Sequence, residues 1–170
     1  MKTAVFFVLD ENVDWEGPYL SSRLNQNSEW AVKTAAASSE IVSTEGFKTK
    51  VDYTIADLPA DCDLLVLIGG KVDPTLKEII DTRIKKQQPL AAIGEVVDYL
   101  FSNHLVSERL LTDELYTESN LVAARTSTGT EFADAVLEMI EFTSDKTVKA
   151  LAEFYNNGYF EYCQKYGITV

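Results

Sequence analysis

Five short apolar-rich runs, at residues 4–9, Trp30–Ala36, Leu64–Ile68, Leu90–Ile93 and Leu121–Ala124, constrain the fold more than any other feature of this chain. Runs this short and this apolar suit parallel strands buried on both faces. The segments between them carry helical faces instead. Trp15, Tyr19, Leu20 and Leu24 recur at helical spacing, as do Leu76, Ile79, Ile80 and Ile84, so each stretch presents one apolar stripe. Alternating strands and amphipathic helices predict an α/β domain, an open and mostly parallel sheet with helices on both faces.

Two stretches depart from that alternation. Residues 41–53 are broken by Ser43-Thr44-Glu45-Gly46, a natural turn, and predict a small antiparallel excursion. After the last run, Thr126-Ser127-Thr128-Gly129-Thr130 offers capping hydroxyls ahead of Phe132, Val136, Leu137 and Ile140. The same hydroxyls before a helix could also hold a phosphate. Ser144 is expected to open a last helix carrying Val148, Leu151, Phe154, Tyr155, Tyr159, Phe160 and Tyr162, an aromatic stripe that reads as core packing. Asn156-Asn157-Gly158 is placed to kink or divide it. No internal repeat, low-complexity tract or Pro/Gly-rich linker interrupts the sequence, so a single domain over residues 1–170 is expected.

Charge narrows the function classes. Fifteen Lys+Arg against 27 Asp+Glu give a net charge of -12 with no basic patch to offset it, which repels polyphosphate and anionic lipid. Neither a nucleic-acid nor a membrane partner is expected. The N-terminal run is too short to cross a bilayer, lacks a small-residue cleavage site and reads as a first strand, while two widely spaced cysteines favour reduced thiols in a cytoplasmic protein. Cys62 and Cys163 lie far apart without Cys-x-x-Cys spacing, and His104 is the single histidine, so no metal and no other cofactor is expected.

In an open parallel sheet the ligand site lies beyond the carboxyl ends of the strands, which here means residues 10–16, 69–73, 94–95 and 126–129. These segments contain Leu9-Asp10-x-x-x-Asp14-Trp15-Glu16-Gly17, Leu67-Ile68-Gly69-Gly70, and Ala91-Ala92-Ile93 ahead of a helix with Asp98-Tyr99-Leu100. Glu131-Phe132, Leu137-Glu138-Met139-Ile140 and the ending Tyr159-Phe160-Glu161-Tyr162-Cys163-x-Lys165-Tyr166-Gly167 follow. Together they resemble the ThiJ/PfpI family over nearly the whole chain, with the ending similar to its bacterial intracellular protease/amidase branch. The resemblance implies a flavodoxin-like fold of the class I glutamine-amidotransferase type and a homodimer. It also implies cysteine hydrolase or glyoxalase/deglycase-type chemistry.

Members of that family place a nucleophilic cysteine on a strained strand-to-helix turn read as Ala-Ala-Ile-Cys-Gly, where a helix N-terminus and a nearby glutamate tune the thiol. Here Gly94 stands at the cysteine's position and Glu95 at that of the following glycine. The register of Asp98-Tyr99-Leu100 fits a substitution better than a deletion. Glu16 matches the thiol-bonding glutamate, and serves equally as a first-turn carboxylate. Gly69 and Gly70 match glycines that present backbone N–H to a substrate oxyanion, or form a tight strand exit. Glu95 suits a helix N-terminus on electrostatic grounds alone. If Glu16 and Glu95 face each other across Gly94, one carboxyl pKa rises or a divalent cation is drawn in.

The family's loop histidine has no counterpart between Leu105 and Leu121, and His104 falls at the end of a helix, where an imidazole complements the dipole. Cys62 precedes a strand at the far end of the sheet, and Cys163 rides the last helix. The expectation is a catalytically silent family member with a degenerate site at Glu16, Gly94 and Glu95. Gly69, Gly70, Thr126 and Ser127 are its candidates for binding a small molecule, with a stress-related interaction role as a further use of the fold. The alternative is an active cysteine hydrolase or glyoxalase/deglycase-type enzyme.

Overall fold

The computed structural model describes residues 1–9, 12, 14–107, 114–125, 130–142 and 153–169. Its elements are β1 (Lys2–Val8), α1 (Pro18–Asn25), β2 (Trp30–Ala36), β3 (Glu40–Val42), β4 (Lys48–Lys50) and β5 (Tyr53–Thr54), then a 3-10 turn at Ile55–Asp57. They continue with β6 (Leu64–Ile68), α2 (Pro74–Lys85), β7 (Leu90–Ile93), α3 (Val96–Ser102), β8 (Leu115–Glu118), β9 (Leu121–Ala124) and α4 (Glu131–Met139). A helical turn at 153–157 precedes α5 (Tyr159–Tyr166). The main sheet runs β5-β2-β1-β6-β7-β9-β8, parallel throughout except that β8 lies antiparallel to β9. This is the mostly parallel α/β sheet that the apolar runs predict, in the flavodoxin-like form that the family resemblance implies.

Side chains alternate between two cores because successive residues of a strand point to opposite faces. Val5, Phe7, Leu65, Leu67 and Ala92 meet Leu76 and Ile80 of α2 and Val97 and Leu100 of α3. Phe6, Val66, Ile68 and Ile93 meet Leu20 and Leu24 of α1 and Phe132, Val136 and Leu137 of α4. With both faces covered, no polar alternation survives in the central strands. Each fully buried Leu, Ile or Phe contributes about 1.5–3 kcal/mol.

Local chemistry sets the ends of these elements. Pro74 occupies the first helical position of α2, and the Asp73 carboxylate accepts from the N–H of Thr75 at 2.7 Å and of Leu76 at 3.0 Å, satisfying two orphan donors. Near the other end of α2, Arg83 is 3% exposed. Its guanidinium donates to Cys62 Sγ at 3.1 Å, to the Cys62 carbonyl at 3.1 Å and to the Pro89 carbonyl at 2.8 Å. One cation thus ties the chain before β6 to the chain before β7. Burial pushes the Cys62 thiol pKa up, against the pull of Arg83.

The antiparallel excursion forms as β3 paired with β4. Three expectations are corrected. Trp15 does not join the buried face of α1, because Pro18 starts the helix after it and leaves the indole 59% exposed. Thr130 precedes α4 but its side chain caps nothing; its hydroxyl instead donates to Asp134 and accepts from Asn156. The aromatic stripe is not core packing: Tyr155, Tyr159 and Phe160 are exposed, Phe154 and Tyr162 are half-buried, and Cys163 is the buried residue of α5. The physical reason is occupancy, since α1 with α4 and α2 with α3 already cover the sheet. The rings pack edge-on against one another instead, Phe154 with Tyr162 at 5.5 Å and Tyr19 with Tyr155 at 5.1 Å. Gly158, at φ 89, divides the stretch as expected. Strands β5 and β8 were not anticipated, and Ser144, Val148 and Leu151 lie outside the described residues.

Candidate functional site

The carboxyl ends of β1, β6 and β7 lie side by side, and each exit is pinned to its neighbour. The Leu9 N–H donates to the Ile68 carbonyl at 2.8 Å, that of Gly69 to Ile93 at 3.0 Å and that of Gly94 to Ala124 at 3.1 Å. The Gly69 carbonyl then accepts from Val96 at 2.7 Å, locking the start of α3 onto the β6 exit. This network fixes two sharp turns with left-handed backbone, Gly69 at φ 97 and Gly94 at φ 90.

The two glycines are constrained differently. A Cβ at Gly69 would stand 2.7 Å from Asn12 Cα, a backbone atom that cannot yield, so no larger residue fits. A Cβ at Gly94 would stand 2.9 Å from Glu16 Oε2, 3.2 Å from Oε1 and 3.3 Å from Gly69 Cα. Its nearest obstacle is therefore the far end of a flexible side chain. The carboxyl of Glu16 rests over the tip of the strand-to-helix turn, where a side chain at position 94 would begin.

Glu16 is half-buried and its Oε2 finds no hydrogen-bond partner among the described residues. Burial first, then the charges of Glu45 and Glu95, push its pKa from an ordinary 4.5 to about 7, because each of these disfavours the ionised form. Asn12 is 5% exposed and its Oδ1 also lacks a partner. Glu45 arrives from the turn between β3 and β4. Its Oε2 accepts from the Asp14 N–H at 3.2 Å, the Ser43 hydroxyl donates to Asp14 Oδ2 at 2.7 Å, and the Thr44 N–H donates to the Asn12 carbonyl at 3.1 Å. The hairpin tip is thereby stitched to the segment that carries Glu16.

Of the residues singled out in the sequence, Glu16, Gly69 and Gly94 converge. Gly70 is buried beside them, and Glu95 is exposed at the start of α3, where its side chain makes no capping bond. Thr126 and Ser127 lie outside the described residues. His104 follows α3 at the end away from this ledge, at φ 56. Arg125, just past β9, pairs with Asp98. Asn12 and Glu45 were missed. Asn12 lies inside the predicted 10–16 segment, whereas nothing local in the sequence announces that Glu45 folds back onto Asp14. Among the described residues no three His, Cys, Asp or Glu side chains gather as metal ligands.

Residues 2–156 match the DJ-1/PfpI family. The chain belongs to that family. It is 34% identical to "Uncharacterized protease YdeA" of Bacillus subtilis (strain 168), covering 98% of each chain. That alignment runs over 192 positions against 170 residues here, so the relative carries internal segments that this chain lacks. Among solved structures, the thiJ/pfpI family protein from Bacillus anthracis is similar at TM-score 0.76 and 21% identity, covering 97% of this chain and 96% of that one. The DJ-1 superfamily protein Atu0886 from Agrobacterium tumefaciens is similar at TM-score 0.78 and 15% identity, covering 91% and 97%. In this DJ-1/PfpI chain the turn between β7 and α3 has a left-handed backbone and carries no side chain at its tip.

Proposed function

We propose that this chain is a DJ-1/PfpI protein without covalent catalysis, whose ledge at the strand ends binds a small molecule. One observation carries the reading: at the turn where the family resemblance puts a cysteine there is Gly94, with the Glu16 carboxyl seated against it. Losing the nucleophile of a triad costs about a millionfold in turnover, leaving only the binding and oxyanion terms. Cys62 and Cys163 are buried, Cys62 at the opposite end of the sheet and Cys163 on α5. The alternative, a cysteine hydrolase or glyoxalase/deglycase-type enzyme, draws support from the word "protease" in the name of the Bacillus subtilis relative.

Intact-mass labelling with iodoacetamide near neutral pH separates the two readings. The native protein is expected to label no faster than a free cysteine, whereas Gly94→Cys is expected to gain one rapidly labelled thiol on the turn. Rapid labelling of any residue on the ledge of the native chain would sink the proposal. The substitution carries a strain of about 1–3 kcal/mol from the left-handed backbone, so its denaturation midpoint should fall while the fold persists.

A further inference from the structure

Two buried acceptors at the ledge lack donors. Glu16 Oε2 and Asn12 Oδ1 are both enclosed and unpartnered among the described residues, and the backbone joins them into one place. Asn12 Cβ lies against the Gly69 turn, Gly69 lies against Gly94, and the Glu16 carboxyl rests on Gly94. Buried polar atoms of native proteins are nearly always satisfied, so a pair of orphan acceptors marks the position of a missing donor. An orphan carboxylate calls for a charged donor before a neutral one.

The surroundings repeat that demand. The charges of Glu45 and Glu95 act on Glu16, Asp14 is bonded to Glu45 and Ser43, and Arg125 is already paired with Asp98. The chain as a whole carries a net charge of -12, so the local and global fields both draw cations. Trp15, 59% exposed, and Phe47, 65% exposed, sit on the two segments that the Asp14 bonds join. Exposed aromatic residues on the same two segments as Glu16 and Glu45 suit an organic cation better than a hydrated metal, and no metal-ligand group is present among the described residues.

We propose that the ledge binds a small organic ammonium compound, whose N–H groups donate to Glu16 Oε2 and Asn12 Oδ1 above Gly94. The proposal rests on the reading of the ledge as a binding site and names its ligand class. A primary ammonium has three donors and one charge, which matches two acceptors and one carboxylate. Binding is reversible and needs no co-reactant.

The test is calorimetric titration of the full chain at about pH 8 with benzylamine as the probe, and with benzyl alcohol as its neutral counterpart. Saturable binding of benzylamine and none of benzyl alcohol is expected. In Glu16→Gln the affinity should fall about tenfold or more, the equivalent of one lost charge-assisted hydrogen bond. Trp15→Leu, at an exposed position that folding does not need, should weaken binding several-fold. Equal binding of amine and alcohol, or unchanged affinity in Glu16→Gln, overturns the proposal, as does no binding at all. None of these outcomes alters the iodoacetamide result, so a failed ligand class and a failed non-catalytic reading remain distinguishable.

Discussion

A carboxyl that titrates at about 7 in the folded chain and near 4.5 when unfolded makes stability depend on pH, and the sign follows from which state holds the proton. Between those two values the native state binds more protons than the unfolded one, so stability falls as pH rises through that window and levels off above about 7. Glu16→Gln removes the titrating group. The variant is expected to match the parent near about pH 4 and to exceed it by about 1–2 kcal/mol near pH 8, after discounting for solvent screening of a half-buried group. Urea denaturation of both proteins across that range checks it, and a variant no more stable than the parent at high pH would show that burial does not strain the Glu16 carboxylate. The glutamate is visible in the sequence as a residue type in a suggestive place. A raised carboxyl pKa there is foreseeable from Glu95, but the larger causes, burial and the charge of Glu45, are not visible, because Glu45 reaches it from 29 residues further along the chain through contacts that only folding creates.

Elements of this fold are held at their ends by single polar residues, and those residues predict where the structure is brittle. Removing the Asp73 side chain takes away the one oxygen that accepts from two N–H groups at the start of α2, so Asp73→Ala should lower stability by about 1 kcal/mol by chemical denaturation. Arg83 is a stronger case. Arg83→Met would strand the Cys62 and Pro89 carbonyls in a buried setting and should lower stability by about 2–4 kcal/mol. Arg83→Lys should rescue only part of that, since one ammonium cannot span three acceptors as the planar fork does. Sequence reading finds the buried strands readily, because full coverage on both faces leaves apolar runs such as Leu64–Ile68. It misses β8, where only Leu115 and Tyr116 are turned inward while Thr117 and Glu118 are exposed, and β5, which is two residues long. Edge strands this short carry too few apolar residues to form a run, so their pattern is indistinguishable from a loop.

At the scale of the molecule, exposed aromatic rings gather on one surface of the described residues. Tyr155, Tyr159, Tyr166 and Phe160, the last 76% exposed, form a rim of aromatic rings near the C-terminus. Self-association, which the family resemblance implies, is a proposal for this chain, and the rim is the surface it would use. Sedimentation is then expected to give about twice the 19.0 kDa chain mass, returning to the chain mass in Phe160→Asp. A native protein that already runs at 19.0 kDa would rule the pairing out.

The left-handed turn at Gly94 also bears on descent. Its backbone, pinned by the Gly94 N–H on Ala124 and by the Gly69 carbonyl on Val96, persists without a side chain that requires it. The scaffolding of a reactive centre is built by many residues, while the reactive atom comes from one. Where the glycine codon is GGT or GGC, a single base change yields cysteine, and the nearest obstacle is a carboxyl that can swing aside. On the proposed non-catalytic reading the step away from thiol chemistry is shallow, and a population under selection for it should gain a thiol at codon 94 sooner than it invents a nucleophile elsewhere on the sheet.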